Sequence, residues 1–172
     1  MSETRVWMLR ENLDSLPEVI LPEGYRIASP EETTAPGYET LCRGIFSPDF
    51  TFADNIAGRK GYWPGAETVL LRADGGTAAV ATALCGYPAP RTGYLHYVAS
   101  DPADRGRGLG YTVSLICLHK MCGRGMTSCR LETDTFRLPA IITYLRLGFR
   151  PYIVVPEEEA RWREVSKQIR LP

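Results

Sequence analysis

The stretch RGRGLG, Arg105 to Gly110, decides how this chain is read, because it joins a β-rich run to a helical pattern through three glycines and two arginines. Glycine has no Cβ, so the backbone can take positive φ and let a ligand come close to the first amides of the helix. Those amides and the positive end of the helix favour an anion. Arg105 and Arg107 add guanidinium forks that match phosphate oxygens, so a polyphosphorylated ligand is expected. The run is not a P-loop, since GxxxxGK[ST] is absent, and GxGxxG fails at Tyr111. A dinucleotide-binding reading stays open here, because a strand precedes the run and a later strand carries Glu132. Against it, Asp101-Pro102-Ala103-Asp104 makes the connection longer than that motif's tight turn, and too little chain follows Glu132 to finish such a fold.

Working outward from the glycines, Gly93 to Ser100 alternates as a strand, with Tyr94, His96, Val98 and Ser100 on one face and Leu95, Tyr97 and Ala99 on the other. Thr68–Arg72 and Thr77–Tyr87 are β-rich runs around the hairpin signal Ala73-Asp74-Gly75-Gly76. Downstream, Leu109, Val113, Ile116, Cys117 and Met121 recur at helical spacing until Gly123. Ser128–Thr133 reads as a strand, Pro139–Leu147 as a helix and Arg150–Val155 as a last strand. From Pro156 the pattern is helical, with Glu157, Glu158 and Glu159 at its start and Lys167 and Arg170 at its end, as the helix dipole prefers. Near the start, Gly24–Ala28 reads as a short strand, followed by a helix toward Phe46 that Pro36 and Gly37 interrupt or delay. A meander followed by strand-helix-strand units implies a single α/β domain over 1–172, with a mixed sheet and helices on its faces.

Composition narrows the function. Lys plus Arg equals Asp plus Glu, 20 against 20, so no global field attracts nucleic acid or an anionic membrane. Five cysteines without CxxC spacing fit neither a zinc site nor a disulfide framework, and His119 with Cys122 has no partner pair, so no metal is expected. The opening MSETRVWMLRENLD has no targeting pattern and no run reaches membrane-spanning length, so a cytoplasmic protein is expected. The aromatic segment around Tyr62 and Trp63 reads as a loop or short helix that borders an acceptor pocket or a homodimer contact.

VASDPADRGRGLG (Val98–Gly110) followed by FRLPAIITYLRLGF (Phe136–Phe149) resembles the GNAT acetyltransferase superfamily. The first motif is similar to that family's [QR]xxGx[GA] coenzyme A pyrophosphate loop, with Arg105 leading and Gly108 and Gly110 in the glycine positions. The second is similar to its AxxxYxxxGF helix. The resemblance implies a largely antiparallel sheet with a splayed central strand pair, acetyl-CoA as cosubstrate, and direct N-acetyl transfer to an amine of a small molecule or peptide. It also implies that Val98, Ala99 and Ser100 present backbone to the pantetheine, that Arg105, Gly106, Arg107, Gly108, Leu109 and Gly110 hold the phosphates, and that Arg137 replaces a frequent Asn at the coenzyme. A final antiparallel strand is usual for the family, whereas the sequence from Pro156 reads as helix.

Two side chains carry the expected chemistry. An amine must lose a proton before attack, and His96, with an ordinary pKa of roughly 6.5, is suited to accept it; a hydrogen-bonded packing histidine is the competing reading. The departing thiolate needs a donor, and the phenol of Tyr144, protonated at neutral pH, supplies one. Tyr144 and Ala140 share a helix face, where pattern alone would make Tyr144 a core residue. A noncatalytic acyl-CoA sensor would keep the phosphate loop and need neither Tyr144 nor His96.

Overall fold

The structure is a computed structural model and describes residues 4–169, so Arg170 lies outside it. Among the described residues the strands are β1 (Arg5–Arg10), β2 (Tyr25–Ile27), β3 (Glu67–Arg72), β4 (Thr77–Cys85), β5 (Thr92–Ser100), β6 (Ser128–Asp134) and β7 (Arg150–Tyr152). They form one sheet in the order β2-β3-β4-β5-β6-β1-β7. Every pairing is antiparallel except β5 with β6. The helices are α1 (Ala35–Ile45), α2 (Leu109–Gly123), α3 (Leu138–Arg146) and α4 (Glu157–Gln168). Pro36 and Gly37 delay α1 rather than break it, because proline suits the first turn and the Thr34 side chain caps Gly37 N–H.

The largest departure from the sequence reading lies at the two ends of the sheet's second half. Arg5–Arg10, not read as a strand, is inserted between β6 and β7 and pairs antiparallel with both. The C-terminal segment is α4, and the strand that the sequence reading lacked is β1, which lies between β6 and β7. Val6 and Met8 are fully buried while Arg5, Trp7 and Leu9 face the other way, the period of two that a half-buried strand requires. β7 stops at Tyr152, short of the expected Val155.

The sheet parts where β5 meets β6. Their pairing covers only Thr92–Tyr94 against Ser128–Arg130, and beyond it the facing edges separate. At the same place β5 carries a bulge: Val80 opposes Ala99 and Thr82 opposes His96, so Ala81 alone lies opposite both Tyr97 and Val98. Tyr97 sits at φ +44°, the left-handed region. The extra residue reverses the alternation, and this corrects the single face expected for Tyr94, His96, Val98 and Ser100. Tyr94 and His96 now share the α1 side with Tyr97 and Ala99, while Leu95, Val98 and Ser100 face α2. The contacts agree, since His96 bonds to Asn55 and Val98 packs into the α2-side core, and a Cβ built on Gly110 at the start of α2 would lie 3.7 Å from Ser100 Oγ.

The core is divided by the sheet. α2, buried from Thr112 to Leu118, packs between β3–β5 and the strap from Glu11 to Gly24, which contributes Leu13, Leu16 and Val19 and bonds to the helix through His119 Nε2–H to Pro17 O at 2.8 Å. Gly93 permits the close approach of α2 to β5, because a Cβ there would collide with the Met121 sulfur. On the other face α1 supplies Tyr38, Leu41 and Cys42 to a smaller cluster with Phe50, Ile56 and Val80.

Candidate active site

The loop before α2 is fixed from behind by an ionic cluster. Arg72 on β3 reaches Asp101 Oδ2 at 2.6 Å and Asp104 Oδ2 at 2.5 Å, and Tyr25 O–H donates to Asp104 Oδ1 at 2.8 Å. Asp101 also accepts from Ala103 N–H, and this amide, with Arg72 beside it, holds its carboxyl below the usual range. Asp104 is buried, which a carboxylate tolerates only with such partners. The anchored turn then delivers Gly106 at φ +78° and Gly108 at φ +76°, where a Cβ would meet nothing within 4 Å. No side chain caps the α2 N-terminus and no acidic residue lies in its first turn. The open amides and the exposed Arg105 and Arg107 therefore form a cradle that fits an anionic, phosphate-bearing ligand.

Past this loop, the parting of β5 from β6 leaves a cavity of about 170 Å³ lined by residues from both faces of the sheet, among them Tyr94, His96, Val98, Glu132, Arg137, Ala140 and Tyr144. Tyr144 is buried, its ring rests against Phe149 at 6.0 Å, and its hydroxyl has no hydrogen-bond partner among the described residues. Burial pushes its pKa well up, so the phenol is a donor at any physiological pH. Ala140 lies one turn before it, leaving room along that wall.

His96 enters from the opposite side. Its Nε2–H donates to Asn55 O at 3.1 Å, which leaves Nδ1 as the acceptor nitrogen. Burial, reinforced by the nearby Arg59 cation, pushes its pKa down to about 4. It is therefore neutral at pH 7 and a much weaker base than an exposed histidine. Arg137, at the N-terminus of α3, bonds to Asp134 at 3.3 Å and lies over the Phe46 ring at 5.2 Å, at the mouth of the cavity.

Val98, in the bulge, and Ala99 and Ser100 beyond it lie on the strand edge that β6 has left, while Tyr62 and Trp63 are not at the cavity. The Tyr62 hydroxyl donates to Glu67 and Trp63 packs under Arg124 at 4.5 Å. Burial raises the Cys42 thiol to about 12 and that of Cys117 to about 11, so neither offers a thiolate nucleophile at neutral pH. Glu132, noted in the sequence only as the acidic residue of the dinucleotide-binding alternative, lines the cavity with its Oε1 2.9 Å from Arg5. Its alternation with buried Leu131 and Thr133 was legible in the sequence. That its face opens on a gap between strands was not. Among the described residues no three His, Cys, Asp or Glu side chains gather as metal ligands.

The strand parting beside a glycine loop is the arrangement that the resemblance to acetyltransferases implied. The acetyltransferase (GNAT) family model matches residues 38–149, and the chain belongs to that family. A mycothiol acetyltransferase from Nocardioides is 40% identical over 62 residues, which are 36% of this chain and 21% of that protein. One from Mycobacteroides abscessus is 40% identical over 60 residues, 35% of this chain and 20% of that protein. The matches thus span about one fifth of these curated relatives. Among solved structures, a GCN5-related N-acetyltransferase from Sphaerobacter thermophilus superimposes with a TM-score of 0.65 at 20% identity, over 87% of this chain and 49% of that one. The ribosomal-protein-S18-alanine N-acetyltransferase from Escherichia coli gives 0.59 at 24% identity, over 75% of this chain and 79% of that one. These likenesses establish the fold, and the family assignment excludes the dinucleotide-binding alternative.

Proposed function

We propose that this chain transfers an acetyl group from acetyl-CoA directly to an amine acceptor, and that the cavity between β5 and β6 is where the two meet. The observation that carries this reading is the Tyr144 hydroxyl, without a hydrogen-bond partner among the described residues, in one cavity with His96 and Glu132. Arg105, Arg107 and the amides from Gly106 to Gly110 hold the diphosphate, with Arg137 farther along the coenzyme. The unpaired edge from Val98 to Ser100 hydrogen-bonds the pantetheine arm as an added strand. A backbone N–H at Val98, next to the bulge, faces the oxyanion of the tetrahedral intermediate in a site that excludes water.

The amine attacks the thioester carbon, the C–S bond breaks, and Tyr144 gives its proton to the departing thiolate. The proton lost by nitrogen passes to His96 Nδ1, directly or through water. A second acceptor is favoured by position: the Glu132 carboxylate stands on the β6 wall and also attracts an incoming ammonium. The raised thiol pKa values support direct transfer without an acyl-enzyme. The acceptor is a small molecule or peptide; the name shared by the sequence relatives, mycothiol acetyltransferase, makes a small metabolite the first to assay.

The test is a pH profile of kcat/KM for wild type, His96→Gln and Glu132→Gln. With His96 as base, the acidic limb of the wild type reflects a group near pH 4, unless the substrate amine titrates above it, and His96→Gln removes the limb and lowers the plateau by roughly 10²-fold or more. A profile unchanged in His96→Gln and abolished in Glu132→Gln would move the role across the cavity.

A further inference from the structure

We propose that the open face of the sheet beside the cavity holds an anionic group of the acceptor, with the Arg130 guanidinium as its ligand; this rests on the acetyl-transfer reading above. Alternation along β6 turns Cys129, Leu131 and Thr133 into the core, and Arg130, Glu132 and Asp134 to the opposite face. α2, α3 and α4 join the core on the Leu131 side, and α1 lies over β4 and β5. Among the described residues, the β6-β1-β7 surface on the Arg130 side therefore carries no helix.

On that surface Arg130 lies over the Trp7 ring at 5.1 Å and the Tyr152 ring at 4.4 Å. Its Nε is buried with no hydrogen-bond partner, and no carboxylate of the described residues lies within ion-pair distance of it. Its neighbours differ. Arg5 is paired with Glu132, and Arg137 with Asp134. Rings that hold a guanidinium leave its donors unfilled, and those donors match the paired oxygens of a carboxylate or phosphate.

The position connects with the cavity. Arg130 is the register partner of Tyr94, Trp7 meets Tyr94 edge-on at 6.2 Å, and Tyr94 lies 5.5 Å from His96. From the gap between β5 and β6 to the rings on β1 and β7 is about two strand spacings, roughly 10 Å. That span is about three extended residues. The matching acceptor is a short peptide with a free amine at the cavity, beside the Glu132 carboxylate, and an acidic side chain near its third position.

The experiment compares two amidated tripeptides, Ala-Gly-Glu and Ala-Gly-Gln, that differ only in this charge. Acetylation is measured with acetyl-CoA, and peptide binding separately by calorimetry, for wild type, Arg130→Gln and Arg130→Lys. The wild type is expected to favour the Glu peptide about tenfold in kcat/KM, less so at high salt. The ratio should fall to about one in Arg130→Gln and recover in part in Arg130→Lys, with acetyl-CoA affinity reporting that each variant is folded. A phosphoserine peptide preferred over Glu would support the subsite and make phosphate its anion. A wild-type ratio of one, or a ratio that survives in folded Arg130→Gln, would overturn the proposal. Arg130-dependent binding of the Glu peptide without acetylation of either peptide would support the subsite and contradict acetyl transfer, which separates the two failures.

Discussion

Replacing His96 with Gln should make the protein less sensitive to mild acid, by an amount that follows from the site. The buried imidazole titrates at about 4, against 6.5 for the ordinary side chain. Between those values the unfolded chain binds the proton and the folded one resists it. Stability is therefore full above pH 6.5 and is lost as the pH falls toward 4. At about pH 5 the wild type should have lost about 2 kcal/mol through this one group. Glutamine keeps a donor for Asn55 O and cannot titrate, so the mutant starts lower at neutral pH but escapes that loss. Urea unfolding of both proteins at about pH 7.5 and pH 5 measures the difference, with His119 common to both. Equal losses in the two proteins would refute the burial of a neutral His96, and with it the weak-base account of the site.

Three further outcomes are expected. Gly108→Val places a β-branched residue at φ +76° and fills the cradle, so acetyl-CoA affinity should fall at least tenfold while the strain costs about 1–3 kcal/mol in unfolding experiments. Arg72→Gln removes the cation shared by Asp101 and Asp104, and should raise the KM for acetyl-CoA with little change in kcat, because the loop is loosened while the cavity is untouched. Tyr144→Phe keeps the ring against Phe149 but removes the proton donor, so coenzyme affinity should hold while turnover falls by roughly 10²-fold, provided chemistry limits the rate.

Much of this fold was legible because its signals are local. The Ala73–Gly76 turn, the glycines before α2 and the helical repeat from Leu109 to Met121 act within a few residues of themselves. The geometry of the loop before α2 was legible for the same reason, since Gly106 and Gly108 take the left-handed conformations that their residue type suggests. What escaped depends on distant partners. Arg5–Arg10 alternates as a strand should, yet its place between β6 and β7 depends on the register of Trp7 with Glu132 and Tyr152. The bulge at Tyr97 is hidden because no glycine marks it; Tyr97 holds the position while its ring packs against Phe46 and Phe50 and its hydroxyl accepts from Asn55. That one extra residue moved His96 to the α1 side. The roles proposed for Glu132 and Arg130 were unreadable because they depend on the opening between strands and on a sheet face that no helix of the described residues covers.

Acetyl transfer is tested by incubating the protein with acetyl-CoA and a panel of amines, including short peptides, and following acetylated amine by mass and released coenzyme A thiol together. Both products should appear in equal amounts, with a rate that drops sharply in Tyr144→Phe. Acetyl-CoA that binds at the cradle yet remains intact with every amine, in a folded wild-type protein, would contradict acetyl transfer and leave an acyl-CoA sensor in its place.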